Sequence, residues 1–160
     1  MRINCPKGTR CWHSERGVVR ALGQVNDGPV LLPMMLAYGA AALLHFVHNA
    51  IYLHDYPNLP AWLTAAGVYA AWCGTTVVGV VGYWLYRHAS RGAGLVVIAI
   101  YAALGLGGLD HYAVAPISAH SLMMNLSIVV EAVCAVALLA VVASSWRRTL
   151  CFERRADEAD

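Results

Sequence analysis

Four long apolar stretches dominate the pattern of hydrophobic and polar positions along the chain. Each is close to or longer than the ~20 residues that an α-helix needs to cross a hydrocarbon layer of about 30 Å. The stretches are Val30–Leu53, Ala61–Tyr86, Gly94–Leu109 and Ile117–Trp146. This pattern predicts an all-α integral membrane protein, a bundle of four transmembrane helices at about 30–55, 60–86, 94–112 and 117–146.

Composition supports a membrane protein without a second domain. Of the 160 residues, 59% are hydrophobic and 12% are charged, whereas a soluble domain carries about 25% charged residues. We therefore expect a membrane domain at 29–146, flanked by tails at 1–28 and 147–160. The formal net charge is only +2 and no nucleic-acid motif is present. The lipid bilayer, and not a nucleic acid, is the expected partner.

The basic residues predict an orientation for this bundle. All eleven Lys and Arg lie in the two tails or in the connection between the second and third apolar stretches. The other two connections, around Asp55–Asn58 and His111–Pro116, contain none. By the positive-inside rule, both termini are expected to be cytoplasmic and the two uncharged connections to face outward. The predicted location is a bacterial inner membrane.

The cysteines predict neither a disulfide framework nor a zinc site. With the predicted topology, no cysteine lies in an outward connection, and the cytoplasm keeps thiols reduced. The N-terminal tail carries Cys5, Cys11 and His13, but their Cys-x5-Cys-x-His spacing matches no common zinc pattern. We interpret the tail as a leader with incidental thiols.

The end of the first apolar stretch carries an unusual set of polar residues. At 100° per residue they form one stripe along the predicted helix, and His54 points to the other side. Ionisable groups at this depth are costly and are usually functional. The stripe contains Met34, Tyr38, Ala41, His45, His48, Asn49, Tyr52 and Asp55.

Two further groups of polar residues are expected at the same end of the bundle. Asp110 and His111 follow a glycine-rich stretch. Consecutive helical residues diverge by 100°, so only one of them faces inward unless the helix has already unwound there. The fourth helix, with Ser118 as a candidate N-cap, places one face of polar or soft side chains toward the interior. Its members are His120, Met124, Ser127 and Glu131.

Helix alternation brings these groups together in the outer half of the bundle, where they predict a transition-metal centre. Imidazole is the commonest protein ligand for transition metals, and histidines with carboxylates suit copper, iron or zinc. Asn49, Tyr52 and Ser127 are expected to support the centre. Glu131, deeper in the membrane, is the expected catalytic residue, as a proton acceptor, a gate or a further ligand. The predicted metal ligands are His45, His48, Asp110, His111 and His120.

Several alternatives remain open from the sequence. Two histidines on facing helices also suit b-type haem and electron transfer, and buried polar residues can simply hydrogen-bond between helices. For the metal centre itself, the leading hypothesis is redox or oxygen-linked chemistry on a small or lipid-soluble substrate. Metal-ion or proton transport by a homo-oligomer, and an accessory role in a larger membrane complex, are the other hypotheses. Whether the protein is an enzyme is left undecided.

Overall fold

The computed structural model describes residues 28–157, with side chains for residues 30–150, and every regular element among them is helical. The Cys5, Cys11 and His13 tail lies outside the described residues. Four main helices, numbered here in chain order, are α1 Gly28–Ile51, α2 Ala65–His88, α3 Arg91–Leu104 and α4 Leu122–Asp157. The shorter elements are 3-10 helices at Leu53–Asp55, Gly105–Asp110 and Ile117–Ala119, and one helical turn at His111–Val114.

Four helical stretches are long and apolar enough to cross a membrane, which confirms this part of the prediction. They are Val30–Ile51, Ala65–His88, Arg91–Val114 and Leu122–Leu150. Large apolar side chains cover their outward surfaces, among them Leu36, Val80 and Val133, each more than half exposed. Such a continuous apolar surface suits contact with lipid and not with water.

The helices form a ring in which each packs against its neighbours in the chain, and α4 closes the ring against α1. Small residues allow the closest approach. A Cβ atom on Gly94 of α3 would overlap the backbone of Tyr86 on α2, and one on Gly82 would stand 2.9 Å from the Ile98 side chain. The α2–α3 hairpin therefore depends on glycine at these two positions.

The two ends of the bundle differ in their buried residues. We call the end that carries the 52–64 and 115–121 connections the histidine end, and the end with Arg87, Arg91, Arg147 and Arg148 the arginine end. The arginine half contains the apolar core, in which the rings of Tyr38 and Tyr101 meet edge to face at 4.6 Å. The fully enclosed members of that core include Leu31, Leu95, Ile98, Ala135 and Leu138.

The beginning of α4 differs from the sequence prediction. The α-helix begins at Leu122 and not at 117, since Pro116 is extended and residues 117–119 form a 3-10 turn. The capping residue is Ser121, whose hydroxyl oxygen accepts the N–H of Met124 at 3.3 Å, so the prediction of Ser118 was wrong. His120 consequently lies in the extended segment before the helix (φ −97°, ψ 143°). At its other end α4 continues past Trp146 to Asp157.

The sequence predicted a uniform α-helix as far as Tyr112 for the third span, but the structure differs. The span tightens after Leu104 into a 3-10 helix over Gly105–Asp110, a segment with three glycines. Glycine is a poor α-helix former, and the absence of side chains lets this segment pack closely on α4. The first span tightens similarly after Ile51, so Leu53–Asp55 no longer follow the phase of α1.

Candidate functional site

Buried polar side chains are concentrated at the histidine end. Glu131 and His45 are 1% and 2% exposed, although both lie on helices that could span a membrane. The other buried members of this polar cluster are Asn49, His120 and Ser127. Ser145, the remaining buried polar residue among the described side chains, lies toward the arginine end of α4.

The hydrogen bonds of Ser127 determine which nitrogen of His45 carries a proton. The Ser127 hydroxyl donates to the carbonyl of Met124 at 2.9 Å, which uses its single hydrogen. Its oxygen lies 3.1 Å from Nδ1 of His45 and must therefore accept a hydrogen from that nitrogen. As a neutral imidazole, His45 then carries its lone pair on Nε2, which can only accept a hydrogen bond or bind a cation.

This lone pair faces a buried carboxylate and an amide. Nε2 of His45 lies 3.7 Å from Oε2 of Glu131, which is too long for a hydrogen bond. It also accepts a hydrogen bond from Nδ2 of Asn49 at 3.0 Å. Oε2 of Glu131 and Oδ1 of Asn49 are both buried without a hydrogen-bond partner among the described residues.

Gly108 borders the space between His45 and Glu131. A Cβ atom at this position would stand 3.3 Å from Oε2 of Glu131 and 3.6 Å from Nε2 of His45. Because glycine has no such atom, the space beside the two polar atoms is free of side chain on this side. Gly107, in contrast, faces open space.

His111 extends the cluster toward the connections. Its Nε2 lies 3.4 Å from Nδ2 of Asn49, and its ring centroid is 5.7 Å from that of His45 and 6.1 Å from that of His120. Asp110, next to it in the chain, is exposed. The helical phase separates the pair, and His111 is the member that joins the cluster.

His120 also presents an unpaired nitrogen. Its Nδ1 lies 3.1 Å from the carbonyl of Pro116, to which it donates its hydrogen, and its buried Nε2 has no partner among the described residues. The Asn125 amide holds this segment by donating to the carbonyls of Ile117 and His120 at 3.2 Å each. The orientation of His120 is therefore built into the start of α4.

Tyr56 is a central member of the site that the sequence prediction missed. The 56–60 segment reads as an outer turn, but the Tyr56 ring is only 4% exposed and lies 4.9 Å from the ring centroid of His111. Its hydroxyl lies 2.9 Å from Nδ1 of His48. Burial raises the pKa of this hydroxyl to about 12. The sequence feature that could have indicated its burial is a large aromatic residue in a turn otherwise made mostly of proline and asparagine.

The predicted residues thus fall into three groups. His45, Asn49, His111, His120, Ser127 and Glu131 are brought together in the buried cluster. His48 joins it through Tyr56 and lines an open cleft of about 560 Å³ with Tyr52 and Asp55. Asp110 is exposed and lies in neither place. Tyr52, which is 47% exposed, belongs to the cleft and not to the buried cluster. No sequence signal pointed to Gly108 in particular.

Comparison with protein-family models, curated proteins and solved structures found no match. The site must therefore be interpreted from its own chemistry. Within the described residues, no group of three or more His, Cys, Asp or Glu side chains is already spaced to hold a metal ion. The preformed part of the site is the pair formed by His45 and Glu131, with the Asn49 amide beside it.

The polar cluster contains more hydrogen-bond acceptors than donors. Nε2 of His45, Oε2 of Glu131, Oδ1 of Asn49 and Nε2 of His120 all present lone pairs in the interior, and the Asn49 amide N–H is the donor among them. Burying an acceptor without a donor costs about 1–3 kcal/mol. A cation placed between the acceptors would remove this cost.

Proposed function

We propose that this chain is an integral membrane protein that binds a transition-metal ion between α1 and α4 at its histidine end. Its ligands would be Nε2 of His45, Oε2 of Glu131 and Oδ1 of Asn49, with His111 as the fourth. The observation that carries the proposal is that the Nε2 lone pair of His45, which accepts only from the Asn49 amide, lies 3.7 Å from a buried carboxylate oxygen without a hydrogen-bond partner among the described residues.

The distance between these two atoms suits a shared metal ion. Two ligand atoms that are each about 2.0–2.2 Å from a tetrahedral metal lie about 3.3–3.6 Å apart. The separation of 3.7 Å between His45 and Glu131 needs only a small closure to reach this range. Gly108 places no side chain against these two atoms.

Asn49 supplies a third ligand through a simple rotation. At present its Nδ2 lies 3.0 Å from Nε2 of His45, and its Oδ1 has no partner. Turning the amide by 180° exchanges the two atoms and points the oxygen toward the space that His45 faces. Nε2 of His111, 3.4 Å from the same amide, is the nearest candidate for a fourth ligand.

Ser127 would support the ion without touching it. Metal-binding histidines usually donate their second N–H to a carbonyl, carboxylate or similar acceptor, which fixes the ring and raises its basicity. Ser127 provides such an acceptor for His45, and its own hydroxyl is fixed by the Met124 carbonyl. His120 is oriented in the same way, because its Nδ1–H donates to the Pro116 carbonyl.

The donor set favours a directly bound ion over haem. Nitrogen and oxygen donors suit zinc, iron or divalent copper. A haem iron held between His45 and His111 would have to displace the Asn49 amide, which now lies near a ring nitrogen of each. By the positive-inside rule, the histidine end would face outward in the bacterial inner membrane.

Metal analysis of the purified, detergent-solubilised protein tests the proposal. We expect about one equivalent of a transition metal in the wild type and a loss of most of it in His45→Ala and Glu131→Gln, since both remove a ligand. Ser145→Ala, a buried polar residue farther along α4, and His54→Ala, an exposed histidine, should keep the wild-type content.

Two outcomes would contradict the proposal. One is a wild-type protein that holds less than about a tenth of an equivalent of metal even after incubation with zinc, iron or copper. The other is metal content that does not change in His45→Ala and Glu131→Gln. An optical spectrum on the same samples distinguishes haem, through its Soret band, from a directly bound ion.

A further inference from the structure

An open cleft of about 560 Å³ lies beside the buried cluster at the histidine end. Its polar members include His48, Tyr52 and Asp55, and the α4 side contributes Ser121, Met123 and Met124. His48 is half-buried, and its Nδ1 is held by the Tyr56 hydroxyl at 2.9 Å. This leaves Nε2 of His48 without a hydrogen bond among the described residues, on a side chain that lines the cleft.

The distribution of charge at this end favours cations. All Lys and Arg among residues 28–157 lie at the arginine end, namely Arg87, Arg91, Arg147, Arg148, Arg154 and Arg155. The histidine end carries the exposed carboxylates of Asp55 and Asp110 and none of these basic residues. A polar cleft lined by one sign of charge raises the local concentration of oppositely charged ions and can speed their association by about 10–10³-fold.

Contacts continue from this cleft to the buried pair. His48 contacts the hydroxyl of Tyr56, whose buried ring lies 4.9 Å from His111 and 6.3 Å from His120, measured between centroids. Nε2 of His111 contacts the Asn49 amide, which in turn contacts His45. Tyr56 is therefore the side chain between His48, at the cleft, and the histidines of the interior.

We propose that this cleft is the port through which a divalent transition-metal ion reaches the buried site, with His48 and Asp55 as its first ligands and Tyr56 as the gate. The inference rests on the metal site proposed above. It assigns His48 and Asp55 to the rate of loading and leaves the final occupancy to His45, Asn49 and Glu131. The Tyr56 ring must turn aside as the ion passes, which its bond to His48 opposes.

Loading kinetics of the metal-free, full-length protein in detergent test this assignment, with Co²⁺ as the probe and its absorption as the signal. We expect the double variant His48→Ala, Asp55→Asn to load at least about tenfold more slowly, yet to reach wild-type occupancy to within about twofold. His54→Ala is the matched control, because His54 is exposed on the same 3-10 turn as Asp55 and does not line the cleft.

The salt dependence of the loading rate distinguishes electrostatic steering by Asp55 from a purely structural role of this residue. Steering by Asp55 is screened when the ionic strength rises, so wild-type loading should slow at high salt. This dependence should be reduced in the single variant Asp55→Asn, which alters one exposed side chain and does not threaten the fold. Asp110→Asn, a carboxylate at the same end but outside the cleft lining, should retain most of it.

The possible results separate the two proposals. Wild-type loading rates in the double variant would overturn the port while leaving the buried site intact. Loss of final occupancy in the double variant would also overturn it, because His48 or Asp55 would then belong to the site itself. A wild-type protein that binds no Co²⁺ would overturn the port together with the metal site.

Discussion

The two halves of this bundle use their buried positions differently. In the arginine half, the interior is filled by Leu31, Leu95, Ile98 and Leu138, and glycines bring α2 and α3 into backbone contact. In the histidine half, comparable interior positions of α1 and α4 hold His45, Asn49, Ser127 and Glu131. Volume and close packing define the first half, whereas directional hydrogen bonds and unpaired acceptors define the second.

This difference indicates where stability and function reside. Close packing between helices stabilises an apolar bundle in a membrane. The arginine half, whose interior is apolar, can therefore be optimised for stability. A buried carboxylate oxygen without a hydrogen-bond partner among the described residues, such as Oε2 of Glu131, is costly. Substitutions in the two halves should therefore have separable effects, on folding in one and on ion binding in the other.

The largest effect is expected from Gly94→Ala in the arginine half. The added Cβ would overlap the backbone of Tyr86 on α2, which no change of rotamer can relieve. We expect a loss of at least about 3 kcal/mol of stability, measured by denaturation in detergent. Gly74→Ala is the control, since a Cβ there meets no atom within 4 Å. Equal stabilities of the two variants would argue against close packing as the basis of this half.

Gly108→Ala should have the next largest effect, and on ion binding more than on folding. Its Cβ would take up the space beside Oε2 of Glu131 and Nε2 of His45. We expect metal affinity to fall at least about tenfold, as measured by competition with a chromophoric chelator, while the denaturation midpoint changes little. Gly107→Ala, whose Cβ faces open space, should bind normally. A wild-type affinity in Gly108→Ala would place the ion elsewhere.

Ser127→Ala should have a smaller effect of the same kind. It removes the acceptor that fixes Nδ1 of His45. We expect metal affinity to fall no more than about tenfold, the lower end of the effect of losing such a supporting group. Ser144→Ala is matched to it, because the Ser144 hydroxyl also donates to the carbonyl three residues earlier, but near the arginine end. The same chelator competition should leave Ser144→Ala unchanged, and similar losses in both variants would remove the contrast between the halves.

The smallest effect concerns the pH dependence of stability. Burial raises the pKa of Tyr56 to about 12 from its ordinary value of 10.0. Because the folded state holds this proton more tightly than the unfolded state, its contribution is complete below pH 10 and is lost as the pH rises toward 12. Tyr56→Phe should therefore lose less stability across that window than the wild type. Tyr52→Phe, about half exposed, should follow the wild-type profile.

Helical periodicity correctly predicted which polar faces of α1 and α4 are buried. His45 and Asn49 on α1, and Met124, Ser127 and Glu131 on α4, share the faces expected from 100° per residue, and all five are buried. Periodicity gave no correct direction for side chains where the backbone leaves the α-helix. Tyr52 and Asp55 lie beyond the end of α1, and His120 lies before the beginning of α4, so their directions could not be read from helical phase.

Contacts between distant segments were also beyond the reach of periodicity. Tyr56 enters the cluster because its turn folds back over the histidine end, where Asn58 donates to the carbonyl of Val114 at 2.9 Å and ties the two connections together. Gly108 matters because a 3-10 helix brings it against Glu131. Neither contact is local in the chain, so no single segment contains the information.

The sequence by itself determined the four apolar helices and the interior faces of α1 and α4, because hydropathy and helical period are properties of single segments. It also determined that the polar residues gather toward one end, since helices of similar length must alternate in direction. Only the tertiary structure decided which lone pairs remain unpaired. Ser127 fixes the proton of His45, Asn49 links His45 to His111, and Glu131 is left facing the space beside Gly108, because packing between helices sets these distances.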